Sequence, residues 1–344
     1  MPARLGPNEE DSTIETERLI GGRYRLGDVV GRTVMSEVRR GEDTLLLRAV
    51  AIKLLRDDGD PRSVARFERE AQILARLHHP NIVAVFDSGV DGRDRFIVME
   101  LVEGITLREL LDKGPLAVER ATEITSSLAS ALAFAHGHDI VHRDVKPANV
   151  LLPSEGSVKL VDMGIARLLS AEALTLTLTT LGTARYMSPE QARGEPLDGR
   201  SDVYSLGCVL FEMLTGRTPF DGNPVALALA HTRTSAPRVR SHNPTISQAI
   251  DDLVAAMLEK DPADRPQTGE DVQQSLGAVR ERAVAETAPT APIESVRLRP
   301  PPVSRPLSGG RRRLRKWGEP IAFLALGGLL AVVVLIALLA IAGR

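Results

Sequence analysis

The stretch Val141–Leu152, VHRDVKPANVLL, followed after a short gap by Val158–Gly164, VKLVDMG, decides how the rest of the chain is read. Two short runs of β-branched and aliphatic residues, Val150 to Leu152 and Val158 to Val161, flank a Pro-Ser-Glu-Gly-Ser connection, which predicts a β-hairpin. Asn149 precedes the first strand and Asp162 follows the second, so closing the hairpin brings a carboxamide and a carboxylate together. Asp144 stands five residues before Asn149. The result is a set of oxygen donors suited to a hard divalent cation such as Mg²⁺.

Upstream of the hairpin the text is strand-like. In VAIKLL, the alternation puts Val50, Ile52 and Leu54 on one face and Ala51, Lys53 and Leu55 on the other. From Pro61 to His78 the apolar residues Val64, Phe67, Ala71, Leu74 and Leu77 recur at helical spacing, and Glu70 falls on their side of the helix. Downstream the text is mostly helical, with long segments at Ala117 to His138 and Asp202 to Thr215. Strands first and helices after predict an α+β fold of two lobes.

Composition bounds the function. The 344 residues are 43% hydrophobic and 26% charged, enough for a proper core. Lys and Arg total 43 against 45 Asp and Glu, a balance that argues for no nucleic-acid partner. Only six of the basic residues are lysines, so each lysine invites inspection. Cys208 is alone, inside the apolar run VYSLGCVLFEML, and reads as a core residue. His136 and His138 have no metal-ligand spacing and read as structural.

The ends differ from the middle. Residues 1–23 form a polar, acidic tail with no apolar secretory core, so the bulk of the protein is expected in the cytoplasm. Residues 283–320 make a Pro-rich and then basic linker, ending at RRRLRK. Residues 321–342 run uncharged for 22 positions, and about 20 apolar residues cross a bilayer, so a single C-terminal transmembrane helix is expected. Five basic residues just before it put the N-terminal side in the cytoplasm, with the lipid bilayer as a partner. Only Gly343 and Arg344 come after the span, from which no outer sensor domain is expected. Gly327 and Ala331 form a small-xxx-small pair compatible with a homodimer.

From Tyr24 to Arg282 the chain resembles the protein kinase family, through HRDVKPAN, DMG, GTARYMSPE and SDVYSLG in that order. The resemblance implies a two-lobed kinase fold, a small β-rich lobe and a larger helical one, with ATP and Mg²⁺ or Mn²⁺ as cofactors. By the same resemblance Asp144 accepts the proton of the attacking hydroxyl and Lys146 steadies the moving γ-phosphoryl group. Asn149 and Asp162 hold the metal ions, and Lys53 grips the α- and β-phosphates while pairing with Glu70. Lys146 and the Gly182-Thr183 pair resemble serine/threonine rather than tyrosine kinases, in the manner of bacterial membrane kinases that act on cytoplasmic proteins and on themselves. By the same resemblance Met99 would guard the back of the adenine pocket, Glu100 and Val102 would offer backbone groups to the base, and Val38 and Ala51 would pack on its face. Thr175 and Thr177, in the segment between Asp162 and Glu190, are the expected phosphorylation sites, with Arg143 and Arg167 as partners for the phosphate. Glu190 and Arg265 resemble the family's buried ion pair.

The phosphate loop departs from the family. It comprises Val30, Gly31, Arg32, Thr33, Val34, Met35, Ser36, Glu37 and Val38, with Gly31, Thr33 and Ser36 where the pattern has three glycines. Thr33 stiffens the turn and adds bulk where a backbone N–H should approach a phosphate oxygen. Met163 replaces the usual Phe, an apolar and flexible substitute. The expectation is weaker ATP binding or a slower rate with catalysis retained. The alternative is a nucleotide-sensing pseudokinase scaffold at the membrane.

Overall fold

The computed structural model describes residues 19–32, 36–55, 67, 71–72, 74–154, 156–163 and 184–287. All of them belong to one compact unit, Met1–Pro289. The last helix runs to Thr287, five residues into the linker expected at 283–320. The rest of that linker and the expected span at 321–342 lie outside the described residues, and among the described residues no helix is long and apolar enough to cross a membrane.

The upper lobe is an antiparallel sheet of six strands: β1 Leu19–Ile20, β2 Tyr24–Arg32, β3 Ser36–Asp43, β4 Arg48–Leu55, β5 Val85–Asp91 and β6 Asp94–Glu100, in the order β1-β2-β3-β4-β6-β5. The alternation in β4 sorts its residues as the period-2 rule requires. Val50 and Ile52 join Ile20, Tyr24, Phe96 and Val98 in one apolar cluster. Ala51 joins Met99 and Val83 on the opposite face, toward the cleft. Lys53 shares that second face, where a carboxylate is available. Gly41 in β3 allows close approach, since a Cβ there would meet Ile52 Cδ1 at 2.3 Å. Phe67, Ala71, Gln72 and Leu74 are helical, as the spacing predicted, and Phe67, Ala71 and Leu74 are buried.

A second, three-stranded sheet joins β7 Gly104–Thr106, β8 Val150–Pro153 and β9 Lys159–Leu160. The hairpin β8–β9 is the predicted one, but β9 is shorter than Val158 to Val161. The Val161 N–H still donates to the Asn149 carbonyl (3.0 Å), but its own carbonyl faces His142 Nε2 (2.9 Å) and so leaves the ladder for the site. The hairpin is also tied upward. Leu160 receives a bond from the Val83 N–H (3.0 Å) and donates to the Asn81 carbonyl (2.8 Å), which fixes the residue before Val161 against the strand lobe.

The lower lobe is built from α1 Leu107–Leu111, α2 Val118–His136, α3 Pro189–Arg193, α4 Gly199–Thr215, α5 Pro224–Arg233, α6 Gln248–Met257 and α7 Gly269–Thr287. Every residue of α4 from Ser201 to Leu214 is buried, as expected of a helix apolar all round, and Cys208 is among them. Side chains such as Leu206, Leu210 and Phe211 each stabilise the lobe by about 1.5–3 kcal/mol. Asp198 caps the N-terminus of α4, and Gly216, at φ 74°, closes its C-terminus in the left-handed conformation that glycine adopts freely. Through Asp202 this buried helix holds the segment that begins at His142.

Candidate active site

The site is a continuous chain of polar contacts across the mouth of the two lobes. Asp144 accepts from Lys146 Nζ at 2.7 Å and from Asn149 Nδ2 at 3.0 Å. Asn149, in the single 3₁₀ turn Pro147–Asn149, also donates to the Asp144 carbonyl at 2.8 Å. Both contacts use the carboxamide nitrogen, which leaves the oxygen as an acceptor. The Asn149 carbonyl then holds Val161, and Asp162 is the next residue. From the upper lobe Lys53, nearly buried, reaches Asp162 Oδ1 at 2.6 Å. Burial alone would raise the Asp162 pKa, but the charge and hydrogen bond of Lys53, with smaller help from His142 and Lys146, bring it below the ordinary range. Asp162 is therefore an anion at neutral pH.

Two residues at the site sit in the left-handed backbone region, Arg143 at φ 68° and Asp162 at φ 62°. Such conformations cost of order 1–3 kcal/mol each for a non-glycine residue, and they persist where neighbours over-determine them. The neighbours are present. Asp202, from α4, accepts from the His142 N–H (2.7 Å) and the Arg143 N–H (2.8 Å), and His136 Nε2 lies 2.8 Å from the same carboxylate. Gln191 Nε2 donates to the Arg143 carbonyl at 2.7 Å. The Asp144 N–H donates to His142 Nδ1 (3.2 Å), so His142 Nε2 carries the proton given to Val161. His142 thus sets the aspartates on either side of it in relation to each other.

Against the strand lobe Val38, Ala51, Met99 and Val102 pack together with Val161 in one apolar cluster. A cavity behind it is walled by Met99, Met163, Ile97 and Leu160 and by Asp162. Met163 is buried there, as its apolar character predicted. The Glu100 N–H is engaged by the Ala84 carbonyl at 2.9 Å, so this backbone donor is not open to a ligand. The Glu100 carboxylate meets Lys159 Nζ at 2.8 Å, a tie between the end of β6 and the hairpin.

Of the phosphate loop, Val30, Gly31 and Arg32 end β2 and Ser36, Glu37 and Val38 begin β3, with Gly31 opposite Val38 and Arg32 opposite Glu37. Arg32 pairs with Glu37 at 2.7 Å. A Cβ on Gly31 would meet no atom within 4 Å, so the space above that backbone is open. Thr33, Val34 and Met35 lie outside the described residues, as do Glu70, Arg167, Thr175 and Thr177. Lys53 is seen with Asp162, and its expected pairing with Glu70 falls on an undescribed residue.

A metal ion fits this donor set in one way. Among the described residues no group of three or more His, Cys, Asp or Glu side chains could hold one alone. Asn149 and Asp162 supply hard oxygen atoms, and such a site suits Mg²⁺ when a ligand's own oxygens complete the coordination.

Below the site Arg265 and Glu190 form the expected buried pair, at 2.8 and 2.9 Å. Sequence reading missed Asp202, Gln191, His142 and Lys159. Asp202 stood in the quoted SDVYSLG motif, and Lys159 is one of the rare lysines; those were the available signals.

Comparison with known proteins gives a consistent picture. A family model described as protein kinase domain matches residues 24–276. A probable serine/threonine-protein kinase, SCO3848 of Streptomyces coelicolor, is 48% identical, over 77% of this chain and 41% of its own. The serine/threonine-protein kinase PknB of Mycolicibacterium smegmatis is 41% identical, over 96% of this chain and 56% of its own. The chain thus spans about half the length of these relatives. The crystal structure of the Mycobacterium tuberculosis PknI kinase domain superposes with a TM-score of 0.61 at 27% identity, over 74% of this chain and 95% of that one.

Proposed function

The chain belongs to the protein kinase family, and on that footing we propose that it transfers the γ-phosphoryl group of ATP to Ser or Thr hydroxyls of proteins, itself included. The observation that carries the reading is the run Lys146–Asp144–Asn149 and Asp162–Lys53, two ammonium–carboxylate pairs brought together where the Asn149 backbone carbonyl holds the N–H of Val161, the residue before Asp162. Phosphoryl transfer asks a protein chiefly for positioning and for charge placed where charge develops. In this proposal Asp144 receives the proton of the acceptor hydroxyl. Lys146, already against Asp144, turns to the γ-phosphoryl oxygens, and Lys53 leaves Asp162 for the α- and β-phosphates. Asn149 and Asp162 would hold Mg²⁺, which when bound offsets phosphate charge. The apolar surface of Val38, Ala51, Met99 and Val102 takes the adenine by contact with its face.

The test uses the full chain with labelled ATP and Mg²⁺, beside an Asp144→Asn variant. Removing the proton acceptor is expected to cut incorporation by about 10²–10⁴-fold. Equal labelling of the two proteins overturns the proposal. Mass spectrometry of the labelled chain should place phosphate on Thr175 or Thr177; phosphate found only elsewhere removes that assignment. A bilayer tether at 321–342, with the kinase domain on the cytoplasmic side, is supported by the uncharged run and the basic residues before it. The full chain should sediment with membranes after an alkaline wash while a chain ending at 320 stays in solution; identical behaviour of the two contradicts the tether.

A further inference from the structure

Arg40 lies in β3 directly opposite Ala51 of β4, as Val38 lies opposite Lys53. Residues paired across antiparallel strands share a face of the sheet, and so do residues two apart along a strand, so all four are on the face toward the cleft. Val38 and Ala51 belong to the apolar cluster proposed to carry the adenine, and Lys53 reaches Asp162 from the same face. Arg40 stands at the end of that row farther from Lys53.

The sheet is irregular at this point. Between the pairs Leu26–Gly41 and Val29–Arg39, β2 has Gly27 and Asp28 where β3 has only Arg40, which is a β-bulge. A Cβ on Gly27 would meet the Arg40 carbonyl oxygen at 3.0 Å, so only glycine lets the bulge lie this close to the Arg40 backbone. Bulges re-aim side chains and recur beside active sites, and this one faces a single arginine.

The Arg40 side chain ties its strand to the link between the lobes. Its Nη2 donates to Glu103 Oε1 at 2.8 Å. The chain passes from β6 to β7 through Leu101, Val102 and Glu103 alone. Val102 packs with the cluster of Ala51 and Met99, so Glu103, next along, borders the same surface. Gly104 opens β7 opposite Pro153 of β8, and a Cβ on it would fall 2.4 Å from the Leu152 carbonyl oxygen. That close approach pins the residue after Glu103 to the lower hairpin. The Arg40–Glu103 pair therefore joins the strand lobe to the end of the link, as the Glu100–Lys159 pair holds its start.

The two side chains are 51% and 70% exposed, so the pair adds little to stability and is screened by salt. A tie of that strength opens and closes readily, which suits an entrance. We propose that Arg40 and Glu103 are positioning residues that clasp the outer border of the nucleotide site, hold the strand lobe to the link, and so slow the departure of a bound adenine nucleotide. The clasp rests on the proposed kinase activity, since an adenine nucleotide is what it retains.

The experiment follows release of ADP carrying an N-methylanthraniloyl fluorophore from the full chain with Mg²⁺, by stopped flow against excess ADP. Arg40→Ala and Glu103→Ala are each expected to quicken release by about three- to fivefold, the most that an exposed pair supplies. The exchanged pair, Arg40→Glu with Glu103→Arg, should return the rate to within about twofold of wild type, which a loss of packing alone would not do. Raising salt from about 0.05 to 0.5 M should speed release from the wild type and leave the Ala variants nearly unchanged. Tm should stay within about 3 °C throughout. Release unchanged in the single variants, an exchanged pair no slower than they are, or rates that merely follow a fall in Tm overturns the clasp while nucleotide binding stands. A wild-type chain that binds no labelled ADP in the presence of Mg²⁺ overturns the nucleotide reading, and the clasp with it.

Discussion

Two basic residues reach across the fold to a carboxylate, Lys53 in the cleft and Arg265 under the lower lobe, and they are held on different terms. Arg265 has no exposed side-chain surface and meets both oxygens of Glu190, while its remaining donors go to the carbonyls of Arg200, Glu259 and Lys260. Ser201 Oγ donates to the same Glu190 carboxylate. Lys53 meets one oxygen of Asp162, whose side chain is 32% exposed. A pair whose every position is filled by protein is architecture. A pair that, among the described residues, keeps an oxygen and ammonium protons uncommitted can exchange its partner for a phosphate or a cation.

Breaking the two pairs should therefore read out differently. Arg265→Ala strands a buried carboxylate and is expected to cost about 3–5 kcal/mol of stability in urea unfolding. A loss below about 1 kcal/mol would show that the lower pair is not the stronger anchor. A third pair, Asp43 with Arg23 in the strand lobe, is expected to lie between them. The Arg23 hydrogen bond, with those of the Leu46 and Leu45 N–H groups, outweighs burial and brings the Asp43 carboxyl down to about 2. A carboxyl depressed in the folded state stabilises above its unfolded value of about 4 and loses that contribution as pH falls through its folded value. Asp43→Asn should thus lower Tm at pH 7, with the gap from wild type closing toward pH 2; a gap that stays constant with pH contradicts the assignment. Lys53→Met is expected to leave unfolding within about 1 kcal/mol of wild type yet weaken ATP binding about tenfold or more, measured by calorimetry. The smallest effect belongs to the loop above. Thr33→Gly should lower the ATP KM or raise kcat by about threefold, from the freer backbone, and no change in either means that Thr33 is not the weak point.

The same contrast explains what the sequence disclosed. The hairpin at Val150–Pro153 and Lys159–Leu160, the two faces of β4 and the long helices were legible because turn chemistry and periodicity are local. The cluster of Asp144, Asn149 and Asp162 was legible because a hairpin of known length closes it. The bracing by Asp202 was not, since its contacts to His142 and Arg143 join residues about sixty positions apart, and no local period reports them. Nor was the end of β9 at Leu160, which depends on His142 drawing the Val161 carbonyl away. The Lys53–Asp162 contact was hidden for the same reason, although the rarity of lysine marked Lys53 and could have marked Lys159.

The central claim is that Asn149 and Asp162 hold a divalent cation shared with nucleotide phosphates. Calorimetric titration of ATP into the full chain, with Mg²⁺ and with chelator, tests it in wild type and in Asp162→Asn. Mg²⁺ is expected to tighten ATP binding by about tenfold or more in the wild type, and that gain should vanish in the variant. A wild-type affinity indifferent to Mg²⁺, or a variant that keeps the whole gain, would contradict the account.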